Sequence, residues 1–299
     1  MKAGKRIFMF LAVNALILIT LSITLSILGV RPYLSARGID YQALMLFCLV
    51  WGMGGAFVSL ALSRVMAKWF MGVKVIDPNT QDPDLAWLVQ TVHNLAKAAD
   101  LPKMPEVGFY PSPEVNAFAT GPTKSRALVA VSAGLMASLN KQQVEGVLGH
   151  EISHIANGDM VTMTLIQGVI NAFVMFLARV IAFFLVRGSS DSKEGSPMMR
   201  VVVTVALEMF FSILGMIVVS AFSRKREFRA DEGSARLGGR EKMINALEGL
   251  TSTVQYADLT HEKSLATLKI SGAPGGFLGA LFATHPPLQD RIERLKHEN

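Results

Sequence analysis

"GHEISHIANGD", residues 149–159, stands directly before a long apolar run. Its centre reads His150-Glu151-Ile152-Ser153-His154. On a helix, residues four apart sit about 40° apart around the axis and roughly 6 Å apart along it, so both imidazoles share one face. Two neutral imidazoles so placed can hold one zinc ion. Glu151 lies about 100° around from His150, near enough to meet a water on that ion without being a ligand. The same spacing also occurs on plain amphipathic surfaces, so the rest of the chain has to decide.

Of the 299 residues, 51% are hydrophobic and 17% charged. A soluble globule carries about 25% charged residues, so the excess apolar content points to a membrane protein with a soluble part. It is concentrated in four blocks: Ile7 to Val30, Tyr41 to Leu62, Met160 to Val186 and Val201 to Phe222. Each reaches the roughly 20 residues a helix needs to cross a bilayer core. The first follows Lys2, Lys5 and Arg6 but is too long for a signal-peptide core, and reads as an uncleaved anchor. Arg179 interrupts the third block and Glu208 the fourth. The two spans form an antiparallel hairpin, and each charge lies at similar depth below its polar connection. Arg179 and Glu208 are therefore a candidate ion pair.

Charges orient the spans. Basic residues precede the first (Lys2, Lys5, Arg6), follow the second (Arg64, Lys68, Lys74) and follow the fourth (Arg224, Lys225, Arg226, Arg229). The positive-inside rule then places both termini and segments 63–159 and 223–299 in the cytoplasm. This basic collar accounts for the net charge of +6 and suits anionic lipid headgroups. It is not interleaved with aromatics on a soluble face, so a nucleic-acid partner is not expected. The single cysteine, Cys48, lies in the second span, which excludes an internal disulfide and a cysteine metal cluster.

The expected organisation is residues 1–62, two amino-terminal spans; 63–159, the first half of a cytoplasmic domain; 160–222, a membrane hairpin; and 223–299, the second half. In the first half, Asp84 to Asp100 carries a helical apolar stripe. Strands are expected at Val107–Tyr110, Asn116–Thr120 and Ala127–Ser132, and Asn140 should cap the helix bearing His150 and His154. In the second half, the fourth span should continue past Asp231, followed by a helix near 240–256 and a last helix after Pro286-Pro287. "KISGAPGGFLGALFATHPP" (269–287) is apolar, but its glycines and Pro274 favour a mobile loop over a fifth span.

A hydrolytic zinc takes three protein ligands and leaves one position open. His261, His285 and His297 fall in stretches read as loop or tail, and His93 lies upstream. Asp191 and Glu194 are across the membrane from His150, and Glu208 is inside a span. The first carboxylate on the correct side is Glu227, with Asp231 four residues on along the same helical face. One can ligate while the other braces a ligating histidine through its free N–H.

These features resemble the HtpX family of bacterial membrane zinc metalloproteases, which are related to the CAAX prenyl endopeptidases. The resemblance covers essentially the whole chain. It includes "NAFATG" (116–121), "GHEISHIANGD" (149–159), "SRKREFRADEGSA" (223–235) and "THPPLQDRI" (284–292). It implies a mainly α membrane protein with four transmembrane helices and a cytoplasmic α+β zincin-like protease domain, of the HExxH gluzincin type, with a small β-sheet. It also implies one Zn2+ per chain held by His150, His154 and Glu227, with Glu151 as the catalytic base. Asp231 and Asp159 are then the candidate braces. His285 is a candidate oxyanion stabiliser, and Asn116, Ala117, Phe118 and Ala119 a candidate substrate-binding edge strand.

The function so implied is proteolytic quality control of damaged or misfolded membrane proteins in the bacterial inner membrane under stress, with unfolded proteins and the enzyme itself as further substrates. Two other readings are a processing protease for one substrate class and a non-catalytic zinc-binding scaffold or sensor. A scaffold has no need of Glu151.

Overall fold

The computed structural model describes residues 34–35, 38–188, 197–260 and 283–297. The first apolar block, Ile7–Val30, and residues 269–282 of the glycine-rich stretch lie outside the described residues. Three described helices are long and apolar enough to cross a membrane. They are α1 (Tyr41–Phe70), α5 (Asp159–Gly188) and α6 (Pro197–Gly238). The chain divides into two compact units, one of residues 1–59 and 163–219, the other of residues 60–162 and 220–299.

In the first unit, a short hairpin, β1 (Leu34–Ser35) and β2 (Gly38–Ile39), precedes α1. The Asp40 carboxylate caps α1 by accepting from the Gln42 and Ala43 amides at 3.0 Å each. Leu44, Cys48 and Ala172 form its buried cluster. At Gly52 a Cβ would come within 2.6 Å of the Ala172 backbone, so glycine sets how closely α1 and α5 approach. Large apolar side chains such as Phe173 and Met209 are exposed, as lipid-facing residues are. Arg179 and Glu208 do pair, and Arg179 also donates to the Met175 carbonyl at 3.1 Å.

The second unit is built on a four-stranded mixed sheet. Its strands are β3 (Lys74–Val75), β4 (Glu106–Tyr110), β5 (Ala117–Thr120) and β6 (Leu128–Ser132), in the order β3-β4-β6-β5. β4 and β6 are parallel; the outer pairings are antiparallel. Alternation sends Val107, Val129 and Val131 to one face, where they pack with α2 (Pro83–Ala98), the short α3 (Ala133–Ser138) and α4 (Lys141–Asn157). Tyr110, Leu128 and Ala130 point to the other face and meet Ala67, near the end of α1. There Arg64 and Lys68 both pair with Glu106, at 2.7 Å for Lys68. Burial opposes ionisation of Glu106, but the two cations outweigh it and hold its carboxyl below the usual range.

The helix limits follow local chemistry. Asp82 caps α2 ahead of Pro83. Asn140 and Gln143 make a reciprocal capping box for α4, as the position of Asn140 suggests. Gly158, at φ 72°, turns the chain sharply, so α4 ends and α5 begins at Asp159. The remaining helices are α7 (Arg240–Thr260) and α8 (Leu288–His297).

Some expectations need correction. α1 does not stop at Leu62 but runs to Phe70, because no helix breaker intervenes before Gly72 at φ 72°. His297 closes a helix rather than sitting in a tail. Asn116 lies one residue outside β5, although its carbonyl still accepts from the Ser132 amide at 3.0 Å.

Candidate metal centre

α4 carries Val147, His150, Glu151 and His154 along one face, all lining a single cleft of about 370 Å³. The helix lies close against α6. A Cβ on Gly149 would fall 2.6 Å from Ser234 Oγ, and one on Gly233 would fall 2.4 Å from Ser153 Oγ. The Ser234 hydroxyl donates to the Gly146 carbonyl at 2.7 Å across this seam. Small residues thus bring the two backbones together, and Glu227 and Asp231 on α6 reach the histidines.

The two imidazoles approach Nε2 to Nε2 at 3.0 Å. Glu227 is fully buried and closes the triangle, with Oε2 at 3.4 Å from His150 Nε2 and Oε1 at 3.4 Å from His154 Nε2. The opposite ring nitrogens are both taken: His150 Nδ1 meets Asp231 Oδ1 at 2.8 Å, and His154 Nδ1 meets Asp159 Oδ2 at 2.7 Å. A carboxylate can only accept, so each Nδ1 carries its proton and each Nε2 is left to offer a lone pair. Two lone pairs and a carboxylate aimed at one point call for a cation. A tetrahedral zinc with bonds of about 2.05 Å separates its ligands by about 3.3 Å, close to the observed edges. The residues present therefore fit a metal ion, and His150, His154 and Glu227 are the group that can hold it.

Without an ion, the surrounding carboxylates favour a further proton on His150, one that a bound cation would displace. Burial would push the His150 imidazole down, but Asp231 and Glu227 outweigh it and bring it up to about 9. Burial would raise the Glu227 carboxyl, yet three histidines hold it far below the carboxylate range. Asp231 is likewise held low against its burial, chiefly by Arg291. Positive charge is favoured at the centre of the triangle.

The residues expected at the site from sequence are gathered here. Glu151 lines the cleft beside the triangle, and Asn116 to Ala119 line it along β5, which has no partner strand on its outer edge among the described residues. His285 sits at the centre, its Nδ1 2.7 Å from Glu227 Oε2. Its segment is tied down by Arg224, which donates to the Ala283 carbonyl at 2.8 Å. Sequence reasoning missed the arginines. Arg226 donates to Glu227 Oε1 at 3.1 Å, Arg229 to Asp159 Oδ1 at 3.2 Å, and Arg291 clamps Asp231. Arg291 lies inside "THPPLQDRI", but nothing local in that segment points to Asp231.

Three apolar helices and a domain that converges two histidines and a glutamate on one point fit a membrane-integrated metalloenzyme. The family model "Peptidase family M48" matches residues 83–299. "Protease HtpX homolog" of Bacillus licheniformis is 50% identical over 302 residues, covering 98% of this chain and 99% of that protein. The Bacillus subtilis protein of the same name is 48% identical over 300 residues with the same coverages, and "Protease HtpX" of Thioalkalivibrio sulfidiphilus is 49% identical over 294 residues, covering 98% of each chain. The crystal structure of S. mikatae Ste24p superposes with a TM-score of 0.64 at 17% identity, a likeness of fold. It covers 98% of this chain, which spans 65% of that structure's length. The chain belongs to peptidase family M48 and is a membrane metalloprotease.

Proposed function

We propose that this protein is a zinc endopeptidase in which His150, His154 and Glu227 hold the ion and Glu151 moves the proton. The observation carrying this reading is the triangle of acceptor atoms, with both imidazoles turned by carboxylates on their far side. When bound, zinc supplies Lewis acidity, polarising the peptide carbonyl and acidifying water. Glu151 takes a proton from the attacking water and returns it to the leaving amine. The open edge of β5 receives the substrate in extended form through backbone hydrogen bonds, which read little side-chain identity. With Nδ1 donating to Glu227, His285 meets the developing oxyanion through Nε2 only as the doubly protonated imidazolium, in which both ring nitrogens donate.

Recognition through the backbone suits substrates defined by being unfolded rather than by sequence. This supports quality control of damaged or misfolded membrane proteins, with self-cleavage as a side reaction. The basic flanks of the spans favour the inner membrane with the catalytic unit on the cytoplasmic side. In sealed cells a Ser125→Cys variant on a Cys48→Ser background should resist an impermeant thiol reagent; labelling would reverse the orientation. The direct test of function is purification with a chelator followed by zinc re-addition and a casein assay. Activity should vanish and return, and activity that persists without metal would end this reading.

A further inference from the structure

Arg291 stands on the apolar face of α8, between Leu288 and Leu295, which pack with Met243 and Leu247 of α7. Packing alone would place an aliphatic side chain there, since a buried guanidinium is costly unless fully paired. Arg291 is 7% exposed. Its Nε donates to Asp231 Oδ2 at 2.8 Å and its Nη2 to Asp231 Oδ1 at 2.6 Å. Oδ1 is also the atom that meets His150 Nδ1. Arg291 Nη2 comes within 3.4 Å of that same nitrogen. A two-point fork fixes the plane of a carboxylate, as a single contact cannot. The plane of Asp231 in turn fixes the tautomer and rotation of His150.

The other histidine provides an internal control. His154 is braced by Asp159, and Asp159 also has an arginine, Arg229. That contact is single, at 3.2 Å, and the Arg229 side chain is 60% exposed. Asp159 opens α5 immediately after the Gly158 turn, so the backbone already positions it. Asp231 sits within a long helix and has no such local constraint.

We propose that Arg291 is a positioning residue of the metal centre, locking the Asp231 carboxylate that orients His150 and so making the last helix part of the site. This rests on the reading of His150 as a metal ligand. Losing a partner that braces a metal-bound histidine typically costs about 10- to 100-fold in metal affinity.

The test is zinc affinity of the full-length protein in detergent, by competition with a chromophoric chelator. Arg291→Met should weaken zinc about tenfold, Arg291→Lys by less, and Arg229→Met by under about twofold. Asp231→Asn combined with Arg291→Met should bind no worse than Asp231→Asn alone, because Arg291 acts through that carboxylate. Circular dichroism of the metal-free proteins checks the fold. If Arg291→Met does not fold, Arg291→Lys carries the test, since it keeps the charge and loses the fork. Wild-type affinity in the folded variant, or additive losses in the double variant, overturns the proposal. A parallel His150→Ala variant separates the two failures. Loss of zinc there with none in Arg291→Met leaves the metal site standing without this inference, whereas zinc retained in His150→Ala removes the metal-site reading itself.

Discussion

Arg179–Glu208 and Arg291–Asp231 are the same chemistry in two surroundings. The first joins α5 to α6 in the apolar unit; the second joins α8 to α6 in the sheet-containing unit. Arg179 is satisfied by Glu208, the Met175 carbonyl and the face of Phe47, 5.5 Å away. Among the described residues, the pair makes no further side-chain hydrogen bond. Asp231 instead shares one oxygen between Arg291 and His150. Geometry of this kind distinguishes a pair that only cancels its own desolvation from one whose carboxylate orients something else. The first should be replaceable as a unit. The second should not.

The largest effect expected is at the point the second network serves. On the proposed assignment, Glu227→Ala removes a ligand rather than a brace, so zinc affinity should fall by more than the roughly 100-fold upper range for outer partners. Proteolysis should go with it. Metal content after dialysis at fixed free zinc checks this, and full occupancy would move the third ligand elsewhere. Next in size, replacing both Asp231 and Arg291 by leucine should leave zinc affinity depressed about as much as Asp231→Leu alone, although the fold no longer buries a charge. Recovery of affinity in that double variant would reduce the second pair to the status of the first.

The membrane pair should show the opposite pattern. Charges within a span cost about 2.5 to 3.5 kcal/mol on insertion scales. Glu208→Leu strands a guanidinium that cannot lose its proton, whereas Arg179→Leu leaves a carboxyl that can become neutral. Glu208→Leu should therefore destabilise the protein by about 2 to 3 kcal/mol and Arg179→Leu by less, with the double variant close to wild type. Unfolding in mixed micelles measures all three. A double variant as unstable as the sum of the singles contradicts the comparison. The smallest effect is at Arg229, whose replacement by alanine should change stability by under about 1 kcal/mol, because its side chain is 60% exposed and makes a single contact with Asp159, which keeps its bond to His154.

What could be read in the sequence follows from the range of the forces involved. The His150/His154 pair, the Asn140 cap and the strand alternation are local, and local rules place them within a residue or two. Glu227 came from topology: after the membrane spans exclude Glu194 and Glu208, it is the first carboxylate on the right side. Arg291 was beyond such rules, because its partner lies 60 positions away and only the packing of α8 on α7 brings them together. β3 was missed because two residues carry no periodicity, and α3 because a six-residue helix has too few turns to show a stripe. The end of α1 was misplaced since hydropathy marks where lipid ends, not where the backbone stops being helical.

The central claim is that Glu151 transfers the proton while three other residues hold the ion. It is tested most directly by measuring zinc content and casein cleavage on the same preparation of Glu151→Gln. One zinc per chain, with cleavage reduced by about 100-fold or more, is the predicted result. Near-normal cleavage by the zinc-loaded variant would contradict it.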